Sequence, residues 1–146
     1  MNILVADDDD DVRVVMQILL EQWGHQVDLA EHGQQAVDRA RVKRPSVILM
    51  DLRMPGMDGF TAARILRDLP ETAGVPIIAV SAYVSDKVWC DRAIAAGCVA
   101  CLGKPVNYAD LATLLERLEM GLPAVPDDNV TESAVGATKK GPGMPV

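Results

Sequence analysis

The chain is predicted to fold as an α/β protein, a five-stranded parallel sheet with helices on both faces. Three observations lead there. Short aliphatic runs alternate with longer helical patterns through residues 1–120. Two of those runs, "VILM" and "PIIAV", are continuously apolar, as strands covered on both sides require. Almost half of the residues are apolar and only 3% aromatic, which suits a core filled with aliphatic side chains. Alternation at this spacing implies βα units joined by right-handed crossovers.

"NILVA" (2–6) is the first strand, and a helix over 10–22 follows it. "QVDLA" (26–30) leads to a helix over 34–43, and "SVILM" (46–50) to a helix over 59–68. "PIIAV" (76–80) precedes a helix over 85–96, and "VACL" (99–102) precedes one over 108–119. The last helix is the clearest, because Leu111, Leu114, Leu115 and Leu118 recur at i, i+3, i+4 and i+7 to form one apolar stripe. Asn107 is its N-cap. Gly24, Gly33, Pro45, Pro76 and Gly97 fall at the joints, where turn chemistry places them. From Gly121 the periodicity stops and Pro, Gly, Ser and Thr dominate, so residues 121–146 read as a flexible tail after a domain over 1–120.

Composition excludes several function classes. A formal net charge of −7 argues against direct nucleic-acid binding, which needs a basic stripe. No apolar run approaches the ~20 residues of a membrane span. The N-terminus carries no basic stretch with a long apolar segment behind it, so a cytoplasmic chain is expected. Three cysteines, an odd number, fit reduced thiols better than a disulfide framework. Cys98 and Cys101 form a C-x-x-C without a second pair or a nearby His, so Cys90, Cys98 and Cys101 are expected to be free and mostly buried.

The chemistry lies at the strand ends. In an open α/β sheet the reactive crevice sits beyond the carboxyl ends of the strands. Asp7 and Asp8 follow the first strand, Asp51 ends the third, Ser81 ends the fourth and Lys104 follows the fifth. Crowded carboxylates stay ionised only with a cation among them; otherwise one takes up a proton. All-oxygen donors with no His or Cys alongside select a hard ion, Mg²⁺ first. An aspartate can attack phosphorus, and a metal, an ammonium and a hydroxyl can neutralise the transferred oxygens. Asp51, Lys104 and Ser81 therefore form a coherent phosphoryl-transfer group. Asp9, Asp10 and Asp11 read instead as caps at the positive end of the first helix. Pro55, Gly56, Asp58 and Gly59 read as turn formers.

"ILVADDD", "VILMDLRMPGMDG", "PIIAVSA" and "GKP", in this order and spacing, resemble the receiver domain of bacterial two-component response regulators, CheY-like single-domain type, over residues 1–120. The resemblance implies a flavodoxin-like (βα)5 fold of strand order 2-1-3-4-5. It implies Asp51 as phosphoacceptor, with Asp8, Asp51 and the backbone carbonyl of Arg53 as Mg²⁺ ligands and Asp7 acting through water. Ser81 is similar to the switch hydroxyl, Lys104 to the phosphate-binding lysine, and a cis Lys104–Pro105 peptide is expected. Implied partners are a histidine kinase or histidine phosphotransfer protein and a downstream effector. The face of helix 4, strand 5 and helix 5, with Val88, Trp89, Arg92, Tyr108 and Ala109, is the implied output surface and the face through which a homodimer would form.

One departure matters. Receivers commonly carry Tyr or Phe three residues before that lysine, and inward rotation of the ring accompanies phosphorylation; here the residue is Cys101. A thiol cannot swing as a ring does, so the Ser81 arm of the switch remains and Tyr83 stands as a substitute ring. Arg53 and Tyr83 flank the pocket, so the aspartyl phosphate is expected to persist for minutes. The leading reading is a switch that catalyses its own phosphorylation without being a turnover enzyme. The alternative is a phosphorylation-independent interaction module with a degenerate switch. A metal-dependent phosphatase ranks last, because Arg53 stands where its acid–base carboxylate belongs.

Overall fold

The computed structural model describes residues 1–82 and 87–124. It contains β1 (Asn2–Ala6), α1 (Asp10–Gln22), β2 (Gln26–Ala30), α2 (Gly33–Lys43) and β3 (Val47–Asp51). These are followed by α3 (Gly59–Asp68), β4 (Ile77–Ser81), α4 (Lys87–Ala95), β5 (Ala100–Gly103) and α5 (Tyr108–Glu119). The strands pair in parallel in the order β2-β1-β3-β4-β5. This is the flavodoxin-like (βα)5 arrangement expected from the sequence.

Strand alternation builds two core layers. Ile3 and Val5 of β1, Val47 and Leu49 of β3, and Ile78 and Val80 of β4 pack with Leu111, Leu114 and Leu115 of α5 and Met16 and Leu20 of α1. Leu4, Ile48, Met50, Ile77 and Ala79 face the other way, towards Ala36 and Val37 of α2, Phe60 and Leu66 of α3, and Ala93 of α4. Burying a leucine such as Leu111 or Leu115 contributes roughly 1.5–3 kcal/mol, and Leu115→Ala costs about 2–5 kcal/mol once the cavity is included.

Boundaries differ from the sequence reading by a residue or two. β5 runs to Gly103 because that residue pairs with Ser81 of β4. Of the residues expected to begin the fourth helix, 85 and 86 lie outside the described residues, as does the tail from 125 onward. Just past α5 the chain folds back: Arg117 Nε donates to the Pro123 carbonyl at 2.7 Å, and Ala124 is buried. Asn107 caps α5, its side chain accepting from the Asp110 N–H at 3.0 Å. The Lys104–Pro105 peptide is cis.

The cysteines correct an expectation. Cys90 and Cys101 are joined as a disulfide, and only Cys98 is a free thiol. Cys98 and Cys101 form the C-x-x-C in sequence but are not the bonded pair. The pair that meets is set by packing instead: Cys90 lies on the buried side of α4 and Cys101 on the face of β5 beneath that helix.

Candidate functional site

The register of the sheet carries the acidic residues to one edge. Ala6 pairs with Met50, so Asp7 and Asp51 leave β1 and β3 side by side. Asp7 continues the parity of Ile3 and Val5, and Asp51 that of Val47 and Leu49. The Asp7 N–H donates to the Ala30 carbonyl at 3.1 Å and the Leu52 N–H to the Val80 carbonyl at 3.2 Å, so neighbouring strands hold both turns. The Lys104 N–H donates to the Ser81 carbonyl at 3.1 Å, anchoring the lysine at the end of β4.

Across this edge the side chains converge. Lys104 Nζ donates to Asp7 Oδ2 at 2.8 Å and to Asp51 Oδ2 at 3.3 Å. Asp7 and Asp51 are buried, whereas Asp8 is exposed. Carboxylate oxygens of Asp7, Asp8 and Asp51 all lie within 4.8 Å of one another. Ser81 is buried at the end of the neighbouring strand. Arg53 sends its backbone N–H to Asp51 Oδ1 at 3.2 Å. Tyr83 lies outside the described residues.

The electrostatics follow from the crowding. Burial first, and then the neighbouring Asp7 charge, push the Asp51 carboxyl from 3.8 up to about 6, against the opposing pull of the Arg53 N–H and of Lys104. Burial lowers the Lys104 ammonium, but its bonds and charge contacts with Asp7 and Asp51 outweigh this and raise it. Lys104 therefore stays charged while Asp51 is uneasy as an anion. An oxygen-rich nest whose central carboxylate resists ionisation suits a small divalent cation, which would relieve the repulsion that the single ammonium leaves. The donor set fits Mg²⁺ by chemistry.

Three contributions were missed from the sequence alone. Arg13 is buried; it donates to the Asp7 carbonyl at 2.6 Å and forms an ion pair with Asp10, clamping the acidic loop from beneath. Its only signal was its position three residues after Asp10. Gly59 lets the start of α3 press on the site, because a Cβ there would lie 2.3 Å from the Asp51 carbonyl oxygen and 2.8 Å from Leu52 Cα. Finally, Arg92 of α4 stacks over Phe60 at 4.2 Å and over Trp89 at 5.6 Å, with the two rings 5.5 Å apart. These groups, with Asp8 and Arg53, line an open cleft of about 510 Å³ that leads to the site. Trp89 is half-buried against the core, while Val88, Arg92, Tyr108 and Ala109 are exposed.

The family model for the response regulator receiver domain matches residues 3–116. The chain belongs to the response regulator receiver domain family. It is 41% identical over 121 residues to the protein PilH of Pseudomonas aeruginosa, covering 82% of this chain and 98% of that protein. Among solved structures it is similar to the chemotaxis protein CheY4 of Vibrio cholerae, with a TM-score of 0.74, 28% identity, and coverage of 80% of this chain and 97% of that one. It is also similar to the receiver domain of a sensor histidine kinase of Pseudomonas aeruginosa, solved with a magnesium ion coordinated in its active-site cleft (TM-score 0.74, 34% identity, coverage 80% and 95%). The receiver is thus a two-component signalling domain, related to those of both response regulators and histidine kinases. No helix among its described residues is long and apolar enough to cross a membrane.

Proposed function

We propose that this receiver takes a phosphoryl group onto Asp51 from a phosphohistidine of a histidine kinase or histidine phosphotransfer protein, and thereby switches its affinity for an effector. The observation that carries this reading is the meeting of Asp51, Asp7 and Asp8 with the Lys104 ammonium at the carboxyl edge of the sheet. A carboxylate oxygen of Asp51 forms the new O–P bond as the donor's N–P bond breaks, and the imidazole leaves with the bonding pair. Lys104 is placed to follow the charge, leaving Asp51 Oδ2 for a phosphoryl oxygen. Ser81 is taken as the hydroxyl that contacts a second phosphoryl oxygen and draws the end of β4 inward.

Mg²⁺ would be held by Asp8, Asp51 and the Arg53 carbonyl, with Asp7 acting through water; it supplies charge neutralisation to the transferred oxygens. Asp51 itself needs to be an anion to attack, and the position of its carboxyl at about 6 means that it is ionised at neutral pH. The exposed apolar side chains of Val14, Val15 and Ile18 on α1 offer a seat for a donor helix beside the site. Arg53, exposed at the mouth of the cleft, would slow the approach of hydrolytic water and give the phosphoryl group a lifetime of minutes. Acetyl phosphate with Mg²⁺ should add one phosphoryl group to the chain, detected by intact mass. Asp51→Asn should abolish it; labelling that survives this substitution defeats the proposal.

The interaction-module reading draws support from the Cys90–Cys101 bond, which ties α4 to β5 where an aromatic switch would otherwise turn. It is separated from the leading reading by beryllofluoride: a binding-only module would hold its partner equally well with and without it.

A further inference from the structure

Two cysteines outside the acidic cluster join α4 to β5, and any bearing they have on the output rests on Asp51 being the phosphoacceptor. Cys101 is fully buried in β5, with Ala79 of β4 as its register partner, and Cys90 is buried on α4. Their Cα atoms are 6.0 Å apart, within the usual span of a disulfide. The bond joins the sheet to the helix whose outer surface carries Val88 and Arg92, the face that the resemblance implies for output. A disulfide holds its Cα atoms within about 6.8 Å, leaving α4 less than about 1 Å of outward play from β5. Helix shifts in switching proteins are typically about 1–2 Å.

We propose that Cys90 and Cys101 form a redox latch: oxidised, the pair holds α4 on β5 and blocks the activated arrangement; reduced, it releases α4 to respond to Asp51. The oxidant is a low-molecular-weight disulfide. One cysteine thiolate attacks it, forming a mixed disulfide and expelling one thiol. The second cysteine attacks the mixed bond, forming Cys90–Cys101 and expelling the other. The two protein thiols are oxidised by two electrons, the small disulfide is reduced to two thiols, and the cysteine protons end on them.

The surroundings accommodate both states. The neighbours are apolar, among them Ala93 and Ala96 of the same core layer, and a small thiol is at home there. Cys101 Sγ lies 3.7 Å from the Cys90 carbonyl oxygen, an acceptor within reach of the thiol that reduction would produce. Cys98 does not compete, because burial pushes its thiol up to about 12 and keeps it protonated. Both sulfurs are buried, so exchange with a small thiol or disulfide proceeds through transient local opening around α4.

Linkage makes the effect reciprocal: if oxidation weakens the activated state by some factor, activation must favour reduction by that same factor. The test uses the full chain in glutathione buffers of graded ratio, with Mg²⁺ and beryllofluoride as the phosphoryl mimic. Alkylation in denaturant should mark one cysteine in the oxidised chain and three in the reduced chain. Beryllofluoride should bind the reduced form about fivefold or more tightly and shift the dithiol-to-disulfide ratio by the same factor. Cys90→Ala should bind with the tight affinity in every buffer. Equal binding in both redox states, or three alkylated cysteines without reductant, overturns the latch while leaving Asp51 as phosphoacceptor. Failure of the reduced chain to bind beryllofluoride at all overturns the phosphoacceptor reading and the latch with it.

Discussion

Replacing Asp51 with asparagine should stabilise the protein in the absence of divalent cations, and the size of the effect can be worked out. Burial and the Asp7 charge lift the Asp51 carboxyl from 3.8 to about 6. Because the folded value lies above the unfolded one, the folded chain keeps a proton on Asp51 that the unfolded chain releases. Stability therefore falls as pH rises through the window from 3.8 to about 6 and stays lowered above it. A shift of about two units corresponds to about 3 kcal/mol at about pH 8, with roughly half already lost by about pH 5. The substituted amide carries no charge, so this slope disappears, and its oxygen can still accept the Arg53 N–H. In EDTA at about pH 8 the variant should melt roughly 10 °C above the wild type, for a domain of this size. The gap should narrow on acidification, as followed by circular dichroism. A variant that melts below the wild type at about pH 8, or a gap that does not change with pH, would refute the electrostatic account of the site.

Three further outcomes follow from the same contacts. Lys104→Met leaves Asp7 and Asp51 facing each other without their ammonium; it should cost about 1–3 kcal/mol at neutral pH, and less in acid, in urea titrations read against the wild type. Gly59→Ala drives a methyl group into the Asp51 carbonyl and Leu52 backbone, so it should cost about 1–3 kcal/mol and slow acetyl-phosphate labelling, both measurable on one preparation. Mg²⁺ at about a hundredfold excess over its Kd should stabilise the wild type by about 2.7 kcal/mol; Asp8→Ala, at an exposed position, should fold normally yet lose that gain in thermal melts.

The legible parts of this receiver are those governed by short-range pattern. Fully apolar strands such as Val47–Met50 announce burial on both faces, and the period of Leu111, Leu114, Leu115 and Leu118 announces a helix with one buried side. The convergence at the sheet edge was also readable, because strand ends in a parallel α/β sheet point one way. What stayed hidden depends on three-dimensional approach. Gly59 resembles any turn glycine until the start of α3 is seen pressed on Asp51. Arg13 looks like a surface residue of a charged helix until its guanidinium turns beneath the Asp7 carbonyl. Cys90 and Cys101 are separated by a whole helix–strand turn, and no spacing rule pairs them; the docking of α4 on β5 does.

The run Asp7–Asp11 shows how such a loop can persist beside a buried core. Each carboxylate but the last is given a separate role, so their repulsion is never borne by one place. Asp7 is buried but accepts from Lys104 and from the Asp9 N–H at 2.9 Å. Asp8 is exposed, where water screens it and a cation can reach it. Asp9 caps α1, accepting from the Asp11 and Val12 N–H groups, and Asp10 pairs with Arg13. Asp11 remains exposed in the first helical turn, favoured there by the helix dipole. Asp51, reached from a different strand, is left with more negative charge around it than its partners offset. The site concentrates its unrelieved electrostatic cost on the one carboxylate proposed to take the phosphoryl group.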